Sequence, residues 1–308
     1  MATEIKDPGI GTQFKRKTQR IIAQDGSYNL IKRGGKNGFR DVFKYLLEIS
    51  WLWFFTLLFL GYILINLVFA VAYYLIGIEH ITGIDPSTSH LFLQCFFFSG
   101  QTFTTVGYGA LAPTGLPTQI LATVEAFFGL LSFSVATGIA YSRFSKPNSK
   151  IIYSKHVLHT NYQDGKSIKF KLANERDNVL LEVSAKVILT LEKVLNNGEI
   201  IKSYYNLKLE TDAVELLPYT WTLVHKIDEQ SPLLNLTETE IRKLNPEFLI
   251  LLKGFDETFS QHIRSKRSFV VDDILWDREF AKIFAPNADG IIEFDVKEIN
   301  KLLDDDRR

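Results

Sequence analysis

Hydrophobic and polar positions follow three different rhythms along this chain. From Asp41 to Ser50, Val42, Phe43, Leu46 and Leu47 share one helical face while Asp41, Lys44 and Glu48 lie elsewhere. That rhythm predicts a short amphipathic helix. Placed just before a long apolar run, it would lie along a membrane surface, although the same residues also suit the first turn of the following helix. Trp51 to Ile78 carries no charged residue. At ~1.5 Å per residue it reaches roughly 40 Å, enough to cross a ~30 Å hydrocarbon core with tilt. Trp51, Trp53, Tyr73 and Tyr74 stand near its ends, where amphipathic rings settle at an interface. Thr118 to Tyr141, interrupted by Glu125, is a second stretch of spanning length.

The segment between the two spans is not a plain loop. Asp85-Pro86-Ser87-Thr88-Ser89 offers helix-start chemistry, and His90 to Thr102 is apolar and aromatic, including Phe96-Phe97-Phe98. About thirteen residues are too few to cross, so a re-entrant helix that stops partway is expected. Non-helical backbone can follow at that depth only where it lines water or is buried in protein. Gly107-Tyr108-Gly109 supplies such backbone.

After Pro147 the period shortens. Ile168–Leu172, Leu180–Thr190, Ile200–Leu209 and Thr220–Ile227 approach strict alternation or form short apolar runs. Asn196-Asn197-Gly198 marks a turn between two of them. Thr237 and Glu240 stand at capping-box spacing with Pro246 beyond, which predicts one helix. Further strands are expected around Phe248–Leu252, His262–Val271 and Ile291–Phe294. Such a run of short strands predicts a β-sandwich.

Charge sharpens this division. No Lys or Arg occurs between Lys44 and Arg143. Arg33, Lys36, Arg40 and Lys44 precede the spans, and Arg143, Lys146 and Lys150 follow them. The positive-inside rule therefore puts both termini on the cytoplasmic side. The formal net charge of +0 gives no pointer to a nucleic-acid partner. The single cysteine, Cys95, rules out an internal disulfide framework and suits a reducing compartment for the soluble part. Lys15-Arg16-Lys17 is followed by polar residues and does not read as a secretory signal. The expected organisation is a polar, irregular arm over 1–38, a membrane domain over 39–147 and a soluble domain over 148–308.

The chemistry lies in Thr105-Val106-Gly107-Tyr108-Gly109. A potassium ion must shed water without losing oxygen ligands, and rings of backbone carbonyls from four such loops replace its hydration shell. Glycine at alternate positions lets successive carbonyls turn the same way. Tyr108 would point away and wedge against surrounding pore helices, and Thr105 would add its hydroxyl at the inner mouth. One chain supplies a quarter of each ring, so a homotetramer is required. A Gly-Tyr-Gly alone is common, but here it follows Thr-Thr-Val and a re-entrant helix between two spans.

Further motifs narrow the resemblance. Phe170-Lys-Leu-Ala-Asn-Glu-Arg-Asp-Asn178, Trp221-Thr-Leu-Val-His-Lys-Ile-Asp-Glu-Gln-Ser-Pro232, Gly254-Phe-Asp-Glu-Thr-Phe-Ser-Gln261, and Arg267-Ser268-Phe269 ahead of Ile274-Leu275-Trp276 occur in that order. With the pore loop, they make the chain resemble the inward-rectifier potassium channels, within them the bacterial KirBac branch, from about Phe39 to about Phe280. The resemblance implies a two-span α-helical pore domain with a re-entrant pore helix and a cytoplasmic immunoglobulin-like β-sandwich. Asp41–Glu48 would be a slide helix, and Tyr141-Ser-Arg-Phe-Ser-Lys-Pro147 the inner-helix exit. Four cytoplasmic domains would enclose a continuation of the pore.

The same resemblance assigns roles. Gly129 matches a bending glycine and Gly138 a small residue near the bundle-crossing gate, with Tyr141 or Phe144 narrowing the cytoplasmic mouth. Phe133 falls where strongly rectifying members carry an acid, which implies weak rectification by blocking polyamine or magnesium. Thr258–Ile263, including Ser260, Gln261, His262 and Ile263, matches a cytoplasmic constriction. Gln101 replaces a glutamate behind the filter, so an ion pair there is absent or substituted. Asn148-Ser149-Lys150 replaces a basic cluster, though Arg143, Lys146, Lys150 and Lys155 still offer contacts to anionic lipid or phosphoinositide, on the order of 1 kcal/mol each near the surface, or act only as positive-inside residues. The localisation implied is a bacterial inner membrane.

Glu125 inside a span is costly and so functional by default; a hydrogen-bonding brace for the pore helix fits better than an ion site. His156, His159 and His262 lack ligand spacing. Asn287-Ala-Asp-Gly290 has too few ligands for a calcium loop, and Asp304-Asp305-Asp306 suits a solvated tail. No nucleotide loop, nucleophile–base pair or metal cluster stands out, so no enzyme activity is expected and no cofactor beyond K+ ions in the filter. A second class remains open: a membrane-anchored sensor or interaction protein whose pore does not conduct. A voltage-gated channel is disfavoured, because no span carries repeated arginines.

Overall fold

The computed structural model describes residues 3–15, 19–23, 26–31, 33–34, 39–87, 89–145, 150–196 and 198–303. Lys146, Pro147, Asn148 and Ser149, as well as Thr88, Asn197 and Asp304–Asp306, lie outside the described residues. The chain divides into two compact units: residues 34–146, and residues 1–33 together with 147–308.

The second unit begins with β1 (Thr3–Ile5) and β2 (Gln13–Phe14). The first unit holds α1 (Phe39–Glu48), α2 (Trp51–Ile76), β3 (Ile81–Thr82), α3 (Leu91–Phe103), β4 (Ala112–Pro113) and α4 (Leu116–Phe144). Ser50 starts α2 by accepting a hydrogen bond from the Trp53 amide, and Gly77, at φ 120°, ends it. Pro117 sits in the first turn of α4, where a missing N–H costs nothing. The 26 residues of α2 and the 29 of α4 correspond to about 39 and 43 Å of helix, and both are apolar enough to cross a membrane. With 13 residues, α3 is too short. It packs on α2 through Ala70, Tyr73, Cys95 and Phe98, with Leu121 and Ala122 of α4 against the same cluster, and the Tyr73 and Phe98 rings lie edge-on at 4.8 Å. Leu52, Phe55, Leu64, Leu75 and Phe127 remain exposed, as expected of helices whose solvent is hydrocarbon.

The second unit continues with β5 (Ile151–Tyr153), β6 (Val157–Tyr162), β7 (Gly165–Asn174), β8 (Leu180–Val194), β9 (Ile200–Leu207), β10 (Ala213–Leu217), β11 (Thr220–Ile227), α5 (Glu238–Lys243), β12 (Glu247–Asp256), β13 (Gln261–Val270), β14 (Ile274–Trp276), β15 (Phe284–Pro286) and β16 (Ile292–Phe294). One sheet runs β1-β9-β8-β12-β13, with β10 added to β8 and β2 to β9. The other runs β11-β7-β6-β14, with β5 added to β7. Phe170, Leu172, Leu189, Leu223, Phe248, Ile250 and Phe269 fill the core of this β-sandwich. Period-two alternation sends Val183, Ala185, Val187, Leu189 and Leu191 of β8 into that core. The expected capping box forms at α5, Thr237 with Glu240. Leu195 and Glu199 close the turn into β9.

The N-terminal arm departs from the sequence expectation, since it contributes β1 and β2 rather than irregular chain. Both strands pair with the otherwise unpaired edge of β9. On the sheet face opposite the core, Ile188, Tyr204 and Leu249 are buried beneath Ile5, Ile10, Ile21 and Ile22. Polar contacts fix the register: the Ile21 amide donates to Glu247 at 2.6 Å, Ser268 Oγ to the Ile22 carbonyl at 2.6 Å, and the Lys202 amide to the Thr12 carbonyl at 2.9 Å.

Candidate functional site

The loop after α3 is built by terminating a helix against its own carbonyls. The Thr104 amide donates to Gly100, Thr105 to Thr102, and both Val106 and Gly107 donate to the Gln101 carbonyl at 3.0 and 3.3 Å. These amides are thereby spent inside the loop. The backbone dihedral φ is then positive at Thr105 (59°), Gly107 (56°) and Gly109 (83°), every second residue. Alternating hand along a chain turns successive carbonyls to one side, and glycine bears it without a Cβ penalty. Thr105 carries the strain of a left-handed non-glycine residue. With the amides of Thr104, Thr105, Val106 and Gly107 held inside the loop, this alternation is the backbone that a row of carbonyl ligands for a dehydrated potassium ion requires. Tyr108 is 82% exposed on the single chain, so the wedge expected of it needs surfaces from other chains.

Gln101 holds the loop at two points. Its side-chain Nε2 donates to the Leu111 carbonyl at 3.0 Å, while its own carbonyl holds Val106 and Gly107. One residue therefore clips both ends of the filter loop with neutral hydrogen bonds. Beyond it, β3 pairs with β4, and Gly83 lets the backbone of Ala110 approach so closely that a Cβ would stand 1.8 Å from its carbonyl oxygen.

Behind α3 lies a network that sequence reasoning found only in part. Glu125 of α4 is fully buried. It accepts from the Tyr73 hydroxyl of α2 at 2.6 Å and contacts Ser99 Oγ of α3. Ser99 also reaches Asn66 Oδ1 of α2 at 2.9 Å, and Asn66 Nδ2 donates to the Tyr62 carbonyl at 2.7 Å. One carboxyl group thus ties all three helices together. Asn66 and Ser99 carry no role in the sequence reading. Tyr73, expected at the interface with Trp51, Trp53 and Tyr74, is instead fully buried, because its hydroxyl finds Glu125 as a partner inside the helices. Polar residues within apolar segments were the signal.

Gly129 is buried where α4 crosses the end of α3. A Cβ there would stand 1.9 Å from the Phe103 carbonyl oxygen, so this glycine permits close helix approach whatever bending it also allows. Gly138 has nothing within 4 Å of such a Cβ. Phe133 is exposed and shares an apolar concave surface with Thr105, Gly129 and Ala136, on the side of the loop where an inner cavity would lie. Tyr141 is exposed, while Phe144 packs its ring 4.7 Å from Trp51.

The four lipid-contact residues separate. The Arg143 guanidinium donates to the carbonyls of Leu46 and Ile49 and lies over the Trp51 ring at 4.5 Å. It joins α4 to the α1–α2 corner, and those donors are committed to backbone rather than open to a headgroup. Lys150 pairs with Glu175 at 3.7 Å, the Lys155 side chain is exposed, and Lys146 lies outside the described residues. In the β12–β13 hairpin, Ser260 takes a positive φ of 49° and Asp256 Oδ1 accepts from Asn178 at 2.9 Å. Gln261 is half-buried and His262 exposed, its ring 5.3 Å from Phe255. Ile263 is 3% exposed and belongs to the core, so it anchors the hairpin and its side chain cannot narrow a passage.

Comparisons with known proteins place the chain in a family. Residues 151–304 match the family model described as inward rectifier potassium channel C-terminal domain, and residues 51–146 the model described as ion channel. Inward rectifier potassium channel Kirbac3.1 of Paramagnetospirillum magnetotacticum is 30% identical over 294 residues, 95% of this chain and 98% of that protein. G protein-activated inward rectifier potassium channel 2 of Mus musculus is 25% identical, covering 93% of this chain and 72% of that protein. The corresponding mouse channel 3 is 24% identical over 94% and 79%.

Proposed function

The chain belongs to the inward-rectifier potassium channel family and is a potassium channel subunit; from that premise we propose that four copies conduct K+ passively through an axial pore. The observation that carries this reading is the alternation of positive φ at Thr105, Gly107 and Gly109, with the Val106 and Gly107 amides spent on Gln101. Carbonyls from one chain supply a quarter of each coordination ring. The neutral clip of Gln101 and the Glu125 brace hold the loop at the spacing a dehydrated ion requires.

Gating falls to the lower half of α4. Gly138, Tyr141 and Phe144 set the inner mouth, Gly129 fixes where α4 can pivot, and the hairpin tip around Ser260, Gln261 and His262 forms the cytoplasmic constriction. Phe133 gives a polyamine or magnesium ion no charge to bind, so rectification is weak. Anionic lipid acts through Lys146, Lys150 and Lys155, with Arg143 coupling the surface helix to α4. The chain is a bacterial inner-membrane protein with both termini cytoplasmic, and it catalyses no reaction. The test is rubidium uptake into liposomes reconstituted with the purified protein, at several anionic-lipid contents. Uptake that barium blocks supports the proposal. Uptake that ignores barium and survives substitution of Gly107 contradicts it.

A further inference from the structure

Among the described residues, one end of the sheet face opposite the core of the second unit is covered. The N-terminal strands and the segment after them hide Ile188, Tyr204 and Leu249. Farther along the same three strands, Ser184 and Lys186 of β8, Asn206 of β9 and Leu251 and Lys253 of β12 line a cavity of about 980 Å³, whose lining the core residues Ala185, Leu207 and Leu209 also reach where β9 ends. Lys208, just past β9, and the Asp212, His225 and Asp228 region supply the walls.

The register explains why its lysines converge. Lys186 pairs with Leu251, and Lys253 with Ser184. Val187 and Leu207 are the last pair of the β8–β9 ladder, and Lys208 follows them directly. Alternation sends Ala185, Val187, Leu207 and Leu252 to the core and leaves the lysines on the open face. Like charges facing one another across strands destabilise a sheet, and among the described residues none of the three lysines is in an ion pair. Asp212 and Asp228, the latter accepting from the Gln230 amide at 2.9 Å, stand in the same lining, so three lysines face two carboxylates and one positive charge is in excess.

Two further observations mark a built surface. His225, 3% exposed, has Nδ1 at 2.7 Å from the Lys208 carbonyl and Nε2 at 2.9 Å from Ser231 Oγ. With Nδ1 protonated, it donates to Lys208 and accepts from Ser231, which pins the backbone carrying one lysine. Asn206 Oδ1 is buried and has no hydrogen-bond partner. A buried acceptor in the same lining as three lysines suits a ligand with both anionic oxygens and a donor hydroxyl. The lining contains no Phe, Tyr or Trp, so nothing there stacks on a nucleobase.

We propose that this cavity binds a small polyanion of the phosphate-ester or polyphosphate class, held by Lys186, Lys208 and Lys253, one per chain. The full-length channel, in nanodiscs of purely zwitterionic lipid, is titrated calorimetrically with inorganic triphosphate. Binding is saturable, weakens with added salt, and falls about tenfold or more in Lys186→Gln/Lys253→Gln, while Lys193→Gln, an exposed lysine outside the cavity, leaves it unchanged. Thermal midpoints equal to that of the unsubstituted protein exclude misfolding, and Lys208→Gln alone provides a milder loss. A second arm uses nanodiscs with anionic lipid. Unchanged triphosphate affinity there supports a soluble ligand, whereas competition assigns the phosphate chemistry to lipid headgroups and overturns the soluble class. Absence of heat, or equal binding in the double variant, overturns the site.

Discussion

Replacing Gly129 with alanine probes how the second span meets the filter. The added Cβ would lie 1.9 Å from the Phe103 carbonyl oxygen and 2.9 Å from its carbon. Ordinary contact begins at ~3.5 Å, so roughly 1.5 Å must be found. The obstructing atom is backbone at the end of α3, where no rotamer change can relieve it. Overpacking of this kind costs ~1–3 kcal/mol, sometimes more, against a gain of ~1 kcal/mol in helix propensity from Gly to Ala. The net loss is therefore roughly 0–2 kcal/mol per chain, nearer the upper end because the obstructing atom is backbone, and the shift passes directly to Thr104 and Thr105. Gly138→Ala is the matched control, since nothing lies within 4 Å of its Cβ; there the propensity gain stands unopposed. The assay is rubidium uptake together with the thermal midpoint in detergent. Gly129→Ala should lower both, and Gly138→Ala should leave stability equal or higher. If Gly129→Ala conducts and melts like the unsubstituted protein, the close-approach role is refuted.

Other outcomes follow from the same structure. Ser99 has one hydroxyl hydrogen but two oxygen neighbours, Asn66 Oδ1 and Glu125, so an amide donor at 125 fits the network. Glu125→Gln should keep flux and stability, while Glu125→Ala should lose ~1–3 kcal/mol for each buried hydroxyl stranded; equal damage from both, in thermal melts, would count against the brace. Phe133→Asp should increase inward rectification when polyamine is present on the cytoplasmic side, and unchanged current–voltage curves would displace Phe133 from the cavity. Burial holds the His225 pKa below its ordinary value. The unfolded chain then takes up the proton first, so stability is full above about pH 6.5 and falls as pH drops toward the lower folded value. Melts between pH 8 and 5 should show a shallower decline in His225→Gln; an identical decline would remove His225 as a contributor.

How much of this was legible depended on distance along the chain. The filter lies in five consecutive residues, and the spans announce themselves by the charge-free run from Trp51, so both could be read locally. The Glu125 brace could not be completed, because Tyr73 and Ser99 are 52 and 26 residues away, and only packing shows which inward polar groups meet. The strands of the N-terminal arm are three and two residues long, too short for periodicity to register. They form because β9 offers an unpaired edge and Ile188, Tyr204 and Leu249 an apolar bed. Ile263 was placed in a constriction by motif order, whereas alternation along β13 turns its side chain into the core. Arg143 illustrates the same limit: its charge marked a membrane boundary, but the structure shows it joining two helices.

Selectivity is the property that rings of these carbonyls from four chains must produce. The reversal potential of the reconstituted channel in a planar bilayer, with K+ on one side and Na+ on the other, measures it directly. A reversal potential strongly on the potassium side, lost on substituting Gly107, is the expected result. A reversal near zero, with sodium carried as readily as potassium, would contradict the reading of Thr105–Gly109 as a potassium filter.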